Sequence, residues 1–213
     1  MQTPLNAQHN TKDWDVLPEL GTVEIVLSAL KSRGFMAELV PDRGAALEKL
    51  GSLIPDGAQV MTGGSTTLNE IGFTELLASG NHRWVNLKGP ILAEKDRDKQ
   101  FALRRQAQFA DYFVGGIQAI TMDGQMVAGS ATGSQLAAYS FGGRNLIIVA
   151  GTQKITANLD QALQRVREYC TPLEDKRMKG IGAPGSILSK VFIYEKERIR
   201  NVNVILVNER LGF

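Results

Sequence analysis

Apolar positions recur along this chain with two periods. Val16, Leu20, Val23, Leu27 and Leu30 fall at spacings of four and three, which predicts one face of a helix. Pro18 is tolerable in its first turn and Gly34 is its stop. Phe35 to Val40 reads as a strand. A second helix starts at Pro41-Asp42, with Ala46, Leu47, Leu50 and Leu53 facing inward. A strand over Ala58 to Met61 follows, then a helix from Thr67 to about Ser79, then a short strand from Trp84 to Leu87. Asp96 to Gln108 is predicted helical with a charged, solvated side. Asp111 to Val114 is a strand, and Ile117 to Thr121 continues extended. Asp123-Gly124 predicts a hairpin turn into Gln125 to Ala128. Leu146 to Ala150 is the most apolar strand, and its unbroken run predicts a central parallel strand buried on both faces. A helix over Asp160 to Tyr169 and a final strand over Val202 to Val207 complete the pattern. Strands alternating with helices predict an α/β fold with a mostly parallel sheet. Residues 1–13 are polar and predicted to form a flexible arm, and residues 14–213 one domain.

Composition narrows the function classes. A hydrophobic content of 43% supplies a sizeable core, and the formal net charge of +2 argues against nucleic acid as a partner. No apolar run is long enough to span a bilayer, and residues 1–15 lack the apolar core of a signal peptide, so a cytoplasmic protein without membrane contact is expected. Cys170 is the only cysteine, which excludes a disulfide within the chain and speaks against a thiolate metal site. No metal site is expected.

The stretch Met61-Thr62-Gly63-Gly64-Ser65-Thr66-Thr67-Leu68-Asn69-Glu70 joins a strand to a helix through a glycine turn. Thr67 and Glu70 have the spacing of a capping box. Backbone N–H groups there, beside a helix N-terminus, suit an anion such as phosphate or carboxylate. An ordinary capped turn is the other reading. A Walker-type loop and a dinucleotide fingerprint are both absent.

Several stretches taken together resemble the LUD domain family, named for lactate utilisation. They are Val60 to Gly72, Ala110-Asp111-Tyr112-Phe113, Ala119 to Gly124, Ile147 to Ile155 and Val204 to Phe213. The resemblance implies a Rossmann-like, mostly parallel α/β sheet of the type shared by sugar-phosphate isomerases (the NagB/RpiA type) and CoA transferases. It implies a bacterial or archaeal setting and a role in L-lactate oxidation beside iron–sulfur partner proteins. Relatives often carry a cysteine cluster after the position of Lys176-Arg177. Here Met178 to Ser186 contains none, so iron–sulfur centres are expected only in partners. Relatives often read Gly-Asn-Arg where this chain has Gly133-Ser134-Gln135, and Asn where it has Gln118.

Ligands of parallel α/β sheets lie beyond the carboxyl ends of the strands. That places Gly63, Gly64, Ser65, Thr66, Thr67, Gly116, Gly133, Ser134 and Gln135 around an expected anion pocket. Lys154 follows the central strand and would reach the anion as a point charge, or else be a surface lysine. Glu70 is the candidate catalytic base or nucleophile, unless it only caps a helix. Asp123 would orient a ligand hydroxyl, or only form its turn. Lys176 and Arg177 would clamp an anion, or be ordinary surface charges. Three functions stand: an accessory ligand-binding protein of lactate or related organic-acid utilisation, a stand-alone enzyme on a phosphorylated, CoA-linked or folate-like substrate, and a regulatory or structural protein whose pocket has lost its chemistry. A homodimer is suggested by the apolar C-terminal strand and Trp14.

Overall fold

The computed structural model describes residues 14–213; the expected arm over residues 1–13 lies outside the described residues. The elements in order are α1 (Leu20–Ser32), β1 (Met36–Val40), α2 (Arg43–Leu53), β2 (Gln59–Thr62), α3 (Thr66–Glu70), α4 (Phe73–Ser79), β3 (Val85–Asn86), α5 (Lys88–Ala93), α6 (Arg97–Gln106), β4 (Tyr112–Gly116), β5 (Ala119–Thr121), β6 (Met126–Ser130), β7 (Asn145–Gly151), β8 (Ile155–Thr156), α7 (Leu159–Gln164), α8 (Thr171–Gly180), β9 (Lys190–Tyr194) and β10 (Asn201–Val207). A π-helical turn over Ala138–Gly142 precedes β7, and a second, over Arg165–Cys170, joins α7 to α8.

Six strands form a parallel sheet in the order β1-β10-β7-β4-β2-β3. The apolar run of β7 has the expected cause. Leu146, Ile148 and Ala150 face one buried layer with Val23, Val26 and Leu30 of α1. Ile147 and Val149 face the other, with Ala46 and Leu50 of α2 and Leu77 of α4. β10 is likewise paired on both sides, by β1 and β7. Its apolar character is core burial, which removes it as a mark of a dimer interface. The expected inward face of α1 needs correction at its start: the helix begins at Leu20, and Val16 and Leu20 are exposed.

A second sheet has the order β8-β5-β6-β9. The Asp123-Gly124 turn makes the predicted antiparallel β5–β6 hairpin. β9, a short apolar strand without a sequence signal of its own, pairs with β6. Ala162 and Val166 cover this sheet against Ala119 and Val127.

Two helices differ from expectation. The helix after the glycine turn breaks at Gly72, which adopts φ 81° and separates α3 from α4. The helix expected to end at Tyr169 continues to Gly180. The wide π turn accommodates Pro172, which lacks an N–H, and the Thr171 hydroxyl donates to the Val166 carbonyl at 2.7 Å. Among the described residues, no helix is long and apolar enough to cross a membrane.

Candidate functional site

A cavity of about 360 Å³ opens at the carboxyl edge of the parallel sheet. The segments after β2, β4 and β7 supply Gly64 to Thr67, Gly116 to Gln118, and Lys154. The far wall comes from the second sheet, the π turn at Val166–Cys170 and the segment after α8.

Of the residues expected at a pocket, the structure brings Gly64, Ser65, Thr66, Thr67, Gly116, Ser134, Gln135, Lys154 and Arg177 to this one cavity. Gly63 lies just behind it. Its carbonyl accepts from Lys88 Nζ at 3.0 Å, and a Cβ on it would stand 2.8 Å from Gln135 Oε1. Gly133 stands between the lining residues Thr132 and Ser134 without lining the cavity itself, and a Cβ on it would stand 2.7 Å from Lys190 Cδ. Asp123 does not line this cavity: its hairpin turn rests on α1, Arg33 Nε donates to its carbonyl, and it lines a separate depression with Ile25, Ala29 and Lys196.

The capping box is also corrected. Ser65, not Thr67, is the N-cap, with its hydroxyl accepting from Leu68 N at 3.3 Å. Three residues on from Ser65 stands Leu68, so Glu70 is out of register for capping. Glu70 is exposed, outside the cavity lining, and accepts from Gly212 N at 2.7 Å. It holds the C-terminal segment, and its charge raises the Lys154 pKa against the larger effect of burial. α3 is a single short turn, so a helix dipole supplies little of the local charge.

That charge comes from Lys154. Its side chain is 2% exposed, and its ammonium nitrogen donates to Thr67 Oγ1 at 2.8 Å. Thr67 passes the polarity on by donating to the Leu211 carbonyl at 3.3 Å. Gln153 Nε2 also holds that carbonyl, at 2.9 Å. Burial, with the nearby Arg165 guanidinium acting in the same direction, lowers the Lys154 pKa to about 7. The other cation in the lining, Arg177, is clamped by Glu174 through two contacts of 2.7 Å, so that pair is electrically neutral. Among the described residues, Lys154 has no such carboxylate partner.

Behind the cavity lies Arg165, which the sequence pattern did not mark. It is 0% exposed, donates to the Gln118 carbonyl, to Cys170 Sγ at 3.0 Å and to the Trp14 carbonyl at 3.4 Å, and stacks over Tyr169. Its one available signal was position: it lies on the inward stripe with Ala162, Val166 and Cys170. Gln118 bridges β5–β6 by exchanging hydrogen bonds with the Gly129 backbone. Burial pushes the Cys170 thiol up, so it is held as a thiol beside Arg165. One buried thiol does not fit an iron–sulfur cluster. Among the described residues there is no group of three His, Cys, Asp or Glu side chains fit to hold a metal.

A family model described as LUD domain matches residues 23–207. The chain belongs to the LUD domain family. That family is associated with lactate utilisation. Among solved structures, this LUD chain is similar to a DUF162 family protein from Deinococcus radiodurans, with a TM-score of 0.52 and 11% identity over 91% of this chain and all of the other. It also matches a D-ribose-5-phosphate isomerase in complex with phospho-erythronic acid (TM-score 0.39, 12% identity, 80% and 96% of the two chains). A third match is eIF2B delta from Chaetomium thermophilum (TM-score 0.35, 15% identity, 68% and 59%). The fold is mixed α/β with a mostly parallel central sheet. No curated protein matches the LUD chain.

Proposed function

We propose that this LUD domain protein binds a small anionic metabolite of lactate or related organic-acid utilisation in the cavity beyond β2, β4 and β7. The observation that carries the reading is Lys154: a buried amine that lines a cavity, with a hydroxyl for its partner and no carboxylate. Burying an amine is costly unless it is paired. A ligand carboxylate or phosphate entering beside it would restore the missing charge partner. Thr67 holds the amine in place, and the strand-end segments Gly64 to Thr67 and Gly116 bring short side chains and backbone close to the anion. With one cysteine in the sequence, iron–sulfur centres are assigned to partner proteins, and this chain supplies the ligand site.

A second reading has one supporting observation. An amine with a pKa of about 7 suits proton transfer at neutral pH, so Lys154 would serve as acid or base in a stand-alone enzyme on a phosphorylated, CoA-linked or folate-like substrate. A thermal-shift panel of lactate, pyruvate, inorganic phosphate, sugar phosphates, CoA esters and folates tests both. A ligand at about 100 times its Kd raises stability by roughly 2.7 kcal/mol. Stabilisation by an anion, absent in Lys154→Met, is expected. Silence across the panel, or an equal response in Lys154→Met, overturns the reading. Turnover of a stabilising ligand would select the enzyme.

A further inference from the structure

The cavity holds more than an anion subsite. Its volume of about 360 Å³ falls within the roughly 300–1,000 Å³ of pockets that enclose drug-sized ligands. A hydroxy acid as small as lactate would leave most of it unfilled. One side of the wall is apolar, with Met178, Ile187, Leu188 and Phe213, while Ser130, Thr132, Ser134 and Gln135 make another side polar. This wall is closely built. A Cβ on Gly129 would stand 2.7 Å from Leu188 Cδ1 and 2.8 Å from Val166 Cγ1, so a larger residue there would have to displace these side chains. Ile187, by contrast, lines the cavity while 70% exposed, so its apolar surface has no protein cover. The other charged side chains in the lining, Glu174 and Arg177, pair with each other, and Lys154 has no ion-pair partner among the described residues.

We infer that the cavity takes an amphipathic monoanion, a single carboxylate or phosphate head on a hydrocarbon body. The head pairs with Lys154 and Thr67, and the body covers Met178, Ile187 and Leu188. The inference rests on the anion site proposed above, and it excludes short polyanions. Those would bring a second charge to a cavity whose other lining cation, Arg177, is already paired with Glu174.

Straight-chain monocarboxylates separate the two ideas. Acetate, butyrate, hexanoate and octanoate are titrated calorimetrically into the full chain, its Lys154→Met variant and its Ile187→Ser variant. Ile187 is exposed, so its replacement leaves the core intact. Each buried methylene is worth about fourfold in affinity. Hexanoate should therefore bind at least about tenfold tighter than acetate. Ile187→Ser should reduce the hexanoate-to-acetate ratio by roughly three- to tenfold, and Lys154→Met should abolish binding of the whole series. Equal affinity for short and long acids would overturn the inference and leave the anion site standing. A chain-length gain that survives both substitutions would also overturn it, by placing the hydrocarbon elsewhere. No binding by any acid would remove the anion site itself, and the inference with it.

Discussion

Replacing the buried amine should make the protein more stable. Lys154 is fully enclosed, and its pKa of about 7 lies well below the ordinary lysine value of 10.5. A shift of one pKa unit corresponds to about 1.36 kcal/mol, so burying the charged form costs about 4–5 kcal/mol at and below neutral pH. Lys154→Met removes that cost and fills the space with a flexible apolar chain of similar length. It also loses the bond to Thr67, worth about 1 kcal/mol. The net expectation is about 3 kcal/mol of added stability at pH 7, or a Tm rise of roughly 6–12 °C for a chain of this size. The pH dependence has a definite sign. The unfolded chain keeps the lysine proton up to about pH 10.5, whereas the folded chain releases it near pH 7. Between those values the unfolded state binds more protons, so wild-type stability rises with pH. The advantage of Lys154→Met should be constant below pH 7, shrink from pH 7 to 10.5, and vanish or reverse above. Urea unfolding of both proteins at pH 6, 8 and 10 reads this directly from the midpoints. A variant less stable than wild type at pH 6, or an advantage that does not change with pH, would refute the reasoning.

Arg165 lowers the Lys154 pKa second only to burial, so Arg165→Met should move the pH-dependent rise in stability to higher pH, measured in the same unfolding series. Glu70→Gln weakens the tie to Gly212 N and should cost roughly 0.5–1 kcal/mol in urea unfolding. Gly124→Ala should destabilise by about 1–3 kcal/mol, because φ is 81° and a Cβ would stand 2.8 Å from the α1 backbone at Ala29 and Leu30; thermal unfolding checks it. Asp123→Asn, in the same turn and outside the cavity, should leave anion affinity within calorimetric error.

Much of the scaffold was legible because its signals are local. The continuous apolar runs of β7 and β10, the Asp123-Gly124 turn and the glycine turn after β2 each state their geometry within a few residues. Lys154 was visible as a cation following the central strand. Its burial was not, because that depends on Thr67 and on the C-terminal segment around Leu211, both distant in the chain. The same holds for Glu70, whose partner Gly212 is far away in sequence, and whose apparent capping role falls away because Ser65 is the N-cap. Arg165 escaped because a charge on an apolar stripe reads as an interruption until the π turn brings the Gln118 carbonyl and Cys170 to it. Strand β9 escaped because a short apolar run between a glycine-rich segment and a charged one has no period of its own.

The central claim is that Lys154 is an enclosed amine that a ligand anion charges. Lysine-selective NMR follows its side-chain resonance through a pH titration, assigned by its loss in Lys154→Met, without and with saturating hexanoate or lactate. The account predicts titration near pH 7 in the free protein and a shift to higher pH with the acid. Titration at the ordinary value of 10.5, or a resonance that no acid moves, would contradict it.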